Sequence, residues 1–186
     1  MELILIRHGH GENNLGLTRL GQKQAGITAK WLESRLMKYD LMEPLFIDLF
    51  GFTSSLSQTK ETAKILWPEL NWKQDTRLDA PDQSAQSDVR DRVMSWLETL
   101  ERLIEAQRAP AAHIMCICAV IHDAWYEAFC GLDSNLPPAK AGETPIENGS
   151  VSIYRRVRCM QDCSISSHLR MHWKFHEYLV PWKDKI

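Results

Sequence analysis

Residues 3–6 form a short apolar run with no polar alternation, followed by Arg7-His8-Gly9-His10-Gly11. Such a run fits a strand buried on both faces, and two glycines within three residues allow a tight backbone path after it. Thr18 is placed to cap a helix predicted over residues 19–37, where Leu20, Gln24, Ile27, Trp31 and Leu32 recur at helical spacing and Gln24 is the one polar break. Residues 45–50 read as a second strand, 57–66 as a second helix closed by Pro68, and 72–76 as a short third strand. A loop rich in Asp, Ala, Pro, Gln and Ser spans 78–86. The next helix, 88–108, carries an apolar stripe of Val89, Val93, Trp96, Leu97, Leu100 and Ile104. Residues 113–121 are the longest apolar run and the best candidate for a central strand; they end in His122-Asp123 and a helix over 124–130 that Gly131 stops. After a Pro/Gly/Ala loop at 137–147, residues 151–157 and 168–175 alternate as late, antiparallel strands.

Strand and helix in alternation argue for a layered α/β fold with a largely parallel sheet. At 186 residues the chain fits a single domain over 1–186 whose core needs no disulfide or metal staple. In such sheets ligands sit beyond the carboxyl ends of the strands. His8 and His122 fall at two of those ends, and helices begin shortly after both. Helix N-termini favour anions, so the place where these segments meet suits a phosphate.

Composition narrows the classes. With 44% hydrophobic and 25% charged residues, the chain is neither disordered nor fibrous. A formal net charge of −2 offers no basic excess for a nucleic-acid backbone, so no nucleic-acid partner is expected, although a local positive pocket for a small anion remains open. Cys116, Cys118, Cys130, Cys159 and Cys163 are odd in number and read as free core thiols in a reducing compartment. The start has no signal-peptide pattern and no apolar run approaches the ~20 residues that span a bilayer. A cytoplasmic protein with no membrane partner is expected.

Arg7 and His8 are adjacent after a buried strand, where an arginine fork and a histidine nucleophile or base can converge on one ligand. Around them the sequence resembles the histidine phosphatase superfamily, the phosphoglycerate-mutase-like proteins. Residues 3–9 resemble its Arg-His-Gly signature, and Asn14 stands where the family has an asparagine. Leu17-Thr18, Gly21 and Gln24-Ala25 match the opening of its first helix. Ser54-Ser55-Leu56-Ser57-Gln58-Thr59-Lys60-Glu61-Thr62-Ala63 is similar to its Ser-Pro-Leu-x-Arg-Ala-x-x-Thr-Ala segment. Val120-Ile121-His122 resembles the strand bearing its second histidine, and Asn148-Gly149-Ser150-Val151 its late strand.

The resemblance implies a three-layer α/β/α sandwich with a mostly parallel central sheet. It also implies a phosphomonoester hydrolase in which His8 becomes phosphorylated, Arg7 and His122 hold the phosphoryl group, and a carboxylic acid protonates the leaving alkoxide. Asn14, Gln58 and His10 are then candidate substrate contacts. The implied partner is a small phosphorylated substrate or phosphate; no cofactor and no metal are implied, and the oligomeric state is not legible. Two positions depart from the pattern. Gln58 stands where the family has its second arginine, and losing a charged contact to a transferring phosphoryl group costs on the order of 2–4 kcal/mol; Arg19 or Arg77 are possible spatial substitutes. Ala80 stands where the mutase-like branch has glutamate, leaving Asp123, favoured because His122-Asp123 resembles the His-Asp pair of the acid-phosphatase branch, or Asp79 or Asp82 as the acid. The alternative is a degenerate, weakly active or inactive member that binds a phosphorylated ligand or protein. His168, His172 and His176, four apart, read as the solvent side of a strand rather than a metal site.

Overall fold

The structure, a computed structural model, describes residues 1–12, 15–42, 46–80, 86–107, 113–132, 147–157 and 172–185. In chain order the elements are β1 (Glu2–Arg7), α1 (Arg19–Met42), β2 (Phe46–Thr53), α2 (Ser57–Leu66), β3 (Lys73–Gln74), a 3-10 turn (Thr76–Leu78), α3 (Gln86–Ala106), β4 (His113–Ile121), α4 (Asp123–Cys130), β5 (Val151–Val157) and β6 (His172–Leu179). The strands form one sheet in the order β3-β2-β4-β1-β5-β6. The pairs β3–β2, β2–β4 and β4–β1 are parallel, while β5 is antiparallel to both its neighbours. β5 is thus the one reversed strand among the six described, and the sheet is mostly parallel as expected.

The two-residue side-chain period of a strand divides the apolar runs between two helical layers. Ile4, Ile6, Cys118, Val120, Val151 and Ile153 pack with Leu32 of α1 and Ala63 and Leu66 of α2. Leu3, Leu5, Ile117, Ala119, Ile121 and Tyr154 pack on the other face with Val93, Trp96, Leu97 and Leu100 of α3 and Trp125 and Phe129 of α4. Both faces of β1 and β4 are therefore covered, which is why their sequences run apolar without alternation. Trp96 and Trp125 are fully buried edge to face, their ring centroids 5.3 Å apart. Each aromatic buried this way contributes ~1.5–3 kcal/mol.

Several elements differ from the sequence reading, among them α3, which spans Gln86–Ala106 rather than 88–108. β2 runs on past Phe50 to Thr53 because Gly51 lies under Trp72 and Leu70, where a Cβ would meet the indole 2.7 Å away. Glycine inside a strand here marks close packing rather than a turn. α1 extends to Met42, and its buried face is Gly21, Gln24, Ala25, Thr28 and Leu32, whereas Leu20 is exposed. The short third strand narrows to Lys73–Gln74. β6 ends at Leu179, four residues beyond the expected end, because Leu179 pairs with Val151 at the start of β5; residues 168–171 lie outside those described. No helix among the described residues is long and apolar enough to cross a membrane.

Candidate active site

Parallel pairing sets the site. β1 and β4 run in register with Arg7 opposite Ile121, so the next residues, His8 and His122, leave the sheet side by side. The His8 amide donates to Ile121 O at 3.2 Å, and the two imidazoles meet with centroids 4.8 Å apart at 60°. Gly149, whose φ of +72° favours glycine, brings the start of β5 to the same edge: its amide donates to both Arg7 O (3.0 Å) and His8 O (3.1 Å). Arg7 Nη2 donates to Asp123 Oδ2 at 3.2 Å across the first turn of α4. Arg7, His8, His122 and Asp123 are thus brought together as the sequence suggested.

The loop after His8 is fastened to the first two helices. Gly9 N donates to Thr62 Oγ1 (3.1 Å), His10 N to Gln24 Oε1 (2.8 Å), and Thr18 N to His10 O (3.0 Å). Thr18 caps α1 by accepting from Gly21 N at 3.1 Å. Gly9 and Gly21 face one another, and a Cβ on Gly9 would stand 2.5 Å from Gly21 O. The polar break at Gln24 is therefore a buried bracket for the histidine loop.

Hydrogen bonding fixes the proton positions. His8 Nδ1 lies 2.7 Å from Gly9 O. A carbonyl only accepts, so Nδ1 carries the hydrogen and the neutral ring holds its lone pair at Nε2. Burial pushes the pKa of His8 below its ordinary value; the Gly9 bond opposes this and Arg7 adds to it. His122 is pushed down to about 4, by burial first and by His8 next. Both rings are neutral near neutrality. His122 Nε2 faces the buried Ser54 Oγ at 3.1 Å. Arg7 Nε is buried with no hydrogen-bond partner among the described residues.

Two carboxylates border the rings. Asp123 is 48% exposed at the side chain and opens toward solvent. Asp79 accepts from Ser55 N (2.6 Å) and Ser55 Oγ (2.7 Å), while Arg92 Nη1 donates to its carbonyl at 3.0 Å. Gln58 is 8% exposed; its chain lies against Gly11 and its Oε1 is buried without a partner among the described residues. Arg77 does not replace the missing arginine, because its guanidinium is spent on Asp75 (2.6 Å), Ser95 O (2.8 Å) and Thr99 Oγ1 (2.7 Å). His10 Nδ1 pairs with Thr18 Oγ1 at 2.9 Å. Ala80 and His176 are exposed. Asn14, Asp82, His168 and the side chain of His172 lie outside the described residues.

Sequence reasoning assigned no role to Ser54, Thr59 or Thr62, which stand in the segment that carried the resemblance, or to Glu61, whose Oε2 accepts from Leu17 N at 2.7 Å. Their spacing within α2 was the available signal: Gln58 and Thr62, one turn apart, face the histidine loop.

No family model and no curated protein matches the sequence. Solved structures do match in fold. A mycobacterial glucosyl-3-phosphoglycerate phosphatase superposes with a TM-score of 0.65 at 20% identity, covering 94% of this chain and 96% of that one. Bacillus stearothermophilus YhfR gives 0.57 at 18% identity, with 94% of each chain covered. Phosphoserine phosphatase from Entamoeba histolytica, solved in complex with 3-phosphoglyceric acid, gives 0.56 at 15% identity over 95% of this chain and 96% of that one. These likenesses span nearly whole chains, and what they share with this protein is the fold.

Proposed function

We propose that this chain, which has the fold of the histidine phosphatases, is a phosphomonoester hydrolase of that superfamily working through phosphorylated His8. The observation that carries the reading is the bond from His8 Nδ1 to Gly9 O, which leaves Nε2 as a free lone pair beside Arg7 and His122. Nε2 attacks phosphorus while the bond to the leaving alkoxide breaks, and the alkoxide takes a proton from the Asp123 carboxyl. Water then gives a proton back to Asp123 and attacks phosphorus, the P–N bond breaks, and phosphate leaves. Arg7 holds the equatorial oxygens. Asp123 fits the acid role better than Asp79, because Asp79 is committed to both donors of Ser55 whereas Asp123 is open to solvent.

A small phosphorylated ligand is supported by the fold relative solved with 3-phosphoglyceric acid and by a mycobacterial one solved with inorganic phosphate. Arg7 and the site's hydrogen-bond donors supply the charge compensation, so the reaction is written without a metal. The buried free thiols Cys116 and Cys118 suit a reducing, cytoplasmic setting. A single-domain organisation over residues 1–186 accompanies this reading.

Brief exposure to labelled substrate followed by an alkaline quench traps acid-labile phosphohistidine, and His8→Ala abolishes it; label that survives in His8→Ala refutes the reading. Asp123→Asn slows an alkyl phosphate by ~10²–10⁴-fold and p-nitrophenyl phosphate far less, since only the poor leaving group needs the proton. Equal losses on both substrates remove Asp123 from the acid role.

One observation favours a second reading, a phosphate-binding member with little turnover. Gln58 is buried and uncharged where the second arginine stands in the family pattern, and Arg77 is engaged elsewhere. Stoichiometric phosphate binding without a trapped phosphoenzyme supports it.

A further inference from the structure

A chain of hydroxyl groups runs from His122 into the protein. Thr59 Oγ1 stands 2.8 Å from Leu56 O, a carbonyl that only accepts, so the Thr59 hydroxyl spends its one hydrogen there. Ser54 Oγ lies 2.7 Å from Thr59 Oγ1 and must therefore be the donor in that pair. With its hydrogen used, Ser54 Oγ acts only as an acceptor toward its other neighbours. It accepts from Leu56 N at 3.2 Å and faces His122 Nε2 at 3.1 Å. The hydrogen between Ser54 and His122 thus belongs to the imidazole. Ser54 and Thr59 are both fully buried, so water does not offer either hydroxyl another partner.

We infer that Ser54 and Thr59 are positioning residues for His122: they hold its neutral ring in the Nε2–H tautomer and leave Nδ1 as a proton acceptor at the site. Among the described residues no group hydrogen-bonds to Nδ1. Deepening the phosphatase reading, and resting on it for the identity of the ligand, this makes His122 recognise a phosphoryl group through a proton. Either the ligand brings it as P–OH, or a dianion binds with one proton taken from solvent and shared with Nδ1. Gln58 Oε1, buried without a partner among the described residues, is a second acceptor suited to a protonated oxygen. The charged and titratable groups around His122 are Arg7 and His8 at the end of β1, Asp79 beyond the 3-10 turn and Asp123 on α4, with His10 in the loop acting on His8. A single substitution at uncharged Thr59 leaves all of them in place, so their contributions cancel between the two proteins.

The test reads the His122 ring nitrogens by heteronuclear NMR in the ligand-free protein, the signals being assigned by their loss in His122→Gln. The wild type shows Nε2–H with an unprotonated Nδ1; an Nδ1–H ring overturns the inference, and this measurement needs neither turnover nor a variant that alters the relay. In Thr59→Val the Ser54 hydrogen is released and donates to His122 Nε2, so the ring switches to Nδ1–H, whereas Thr59→Ser keeps the wild-type tautomer. Retention of Nε2–H in Thr59→Val removes Thr59 from the role. Inorganic phosphate binding above the second ionisation of phosphate, followed by calorimetry in buffers of different ionisation enthalpy, then takes up about one proton fewer in Thr59→Val. Above the second ionisation of phosphate, its affinity for the wild type falls by about tenfold per pH unit relative to the variant. Equal proton uptake in the two proteins overturns the ligand-facing role of Nδ1. Failure to bind phosphate at all instead sinks the proposed function and leaves the tautomer result standing.

Discussion

The same substitution placed twice in helix α1 should have opposite effects. In a helix interior Gly→Ala stabilises by ~0.5–1 kcal/mol through reduced chain entropy. At Gly26 a Cβ meets nothing within 4 Å, so Gly26→Ala should gain that amount. At Gly21 the new Cβ falls inside the van der Waals shell of His10 O and stands 2.8 Å from His10 N and 2.9 Å from the His10 carbonyl carbon, all backbone atoms. The optimum for such contacts is ~3.5 Å, so the two backbones must part by roughly 1–1.5 Å, the contact with His10 O setting the larger figure. That parting strains the bonds holding the loop: Thr18 N to His10 O, His10 N to Gln24 Oε1, and His10 Nδ1 with Thr18 Oγ1. Overpacking of this kind costs ~1–3 kcal/mol, which outweighs the helix gain. The helix gain is common to both, so Gly21→Ala should sit about 1–3 kcal/mol below Gly26→Ala. At ~2–4 °C per kcal/mol for a chain of this size, the two melts separate by roughly 2–12 °C. The displaced backbone is two residues from His8, and a misplacement near 1 Å costs ~10²-fold in rate. Chemical and thermal denaturation give the first quantity, and p-nitrophenyl phosphate hydrolysis the second. If Gly21→Ala is as stable and as active as Gly26→Ala, α1 does not press on the histidine loop and the placement of the loop is wrong.

Gln58→Arg should raise turnover by about 10²-fold, since a guanidinium on the equatorial oxygens is matched best in the transition state. Tighter phosphate binding without turnover would favour the binding-protein reading, and no change in either would mean that Gln58 does not face the pocket. His122 also sets a pH dependence of stability. Its pKa is 6.5 unfolded and about 4 folded, so the unfolded state binds more protons in that window. Stability is unaffected by this ring above pH 6.5, falls as the pH drops toward 4 at up to ~1.4 kcal/mol per pH unit, and levels below it. In His122→Gln that part of the slope disappears from the denaturation series, and an unchanged slope would show that His122 titrates normally in the folded protein.

Much of the fold follows from patterns that need no partner. The runs at 3–6 and 113–121 are apolar at successive positions because helices cover both faces of β1 and β4, and that pattern alone implied a parallel sheet with layered helices. The short polar tails after those runs carried His8 and His122, and parallel strands leave no choice but to deliver such tails to one edge. That much of the site was legible, as was the bound on β5 and its reversal. Tertiary structure decided what a one-dimensional pattern does not encode. Which face of α1 turns inward depended on how near the histidine loop approaches, so Gly21, Gln24 and Thr28 are buried while Leu20 is exposed. A buried polar group needs a partner, and the partners here lie far along the chain: Gln24 serves His10, Thr62 serves Gly9, and Thr28 serves Gly149. That Gln58 is buried against Gly11 likewise emerges only once the histidine loop meets α2. The proton on His122 depends on a hydroxyl 68 residues away in sequence. Local sequence sets what each segment prefers to be; desolvation and hydrogen-bond direction, which exist only once segments meet, set what its side chains do.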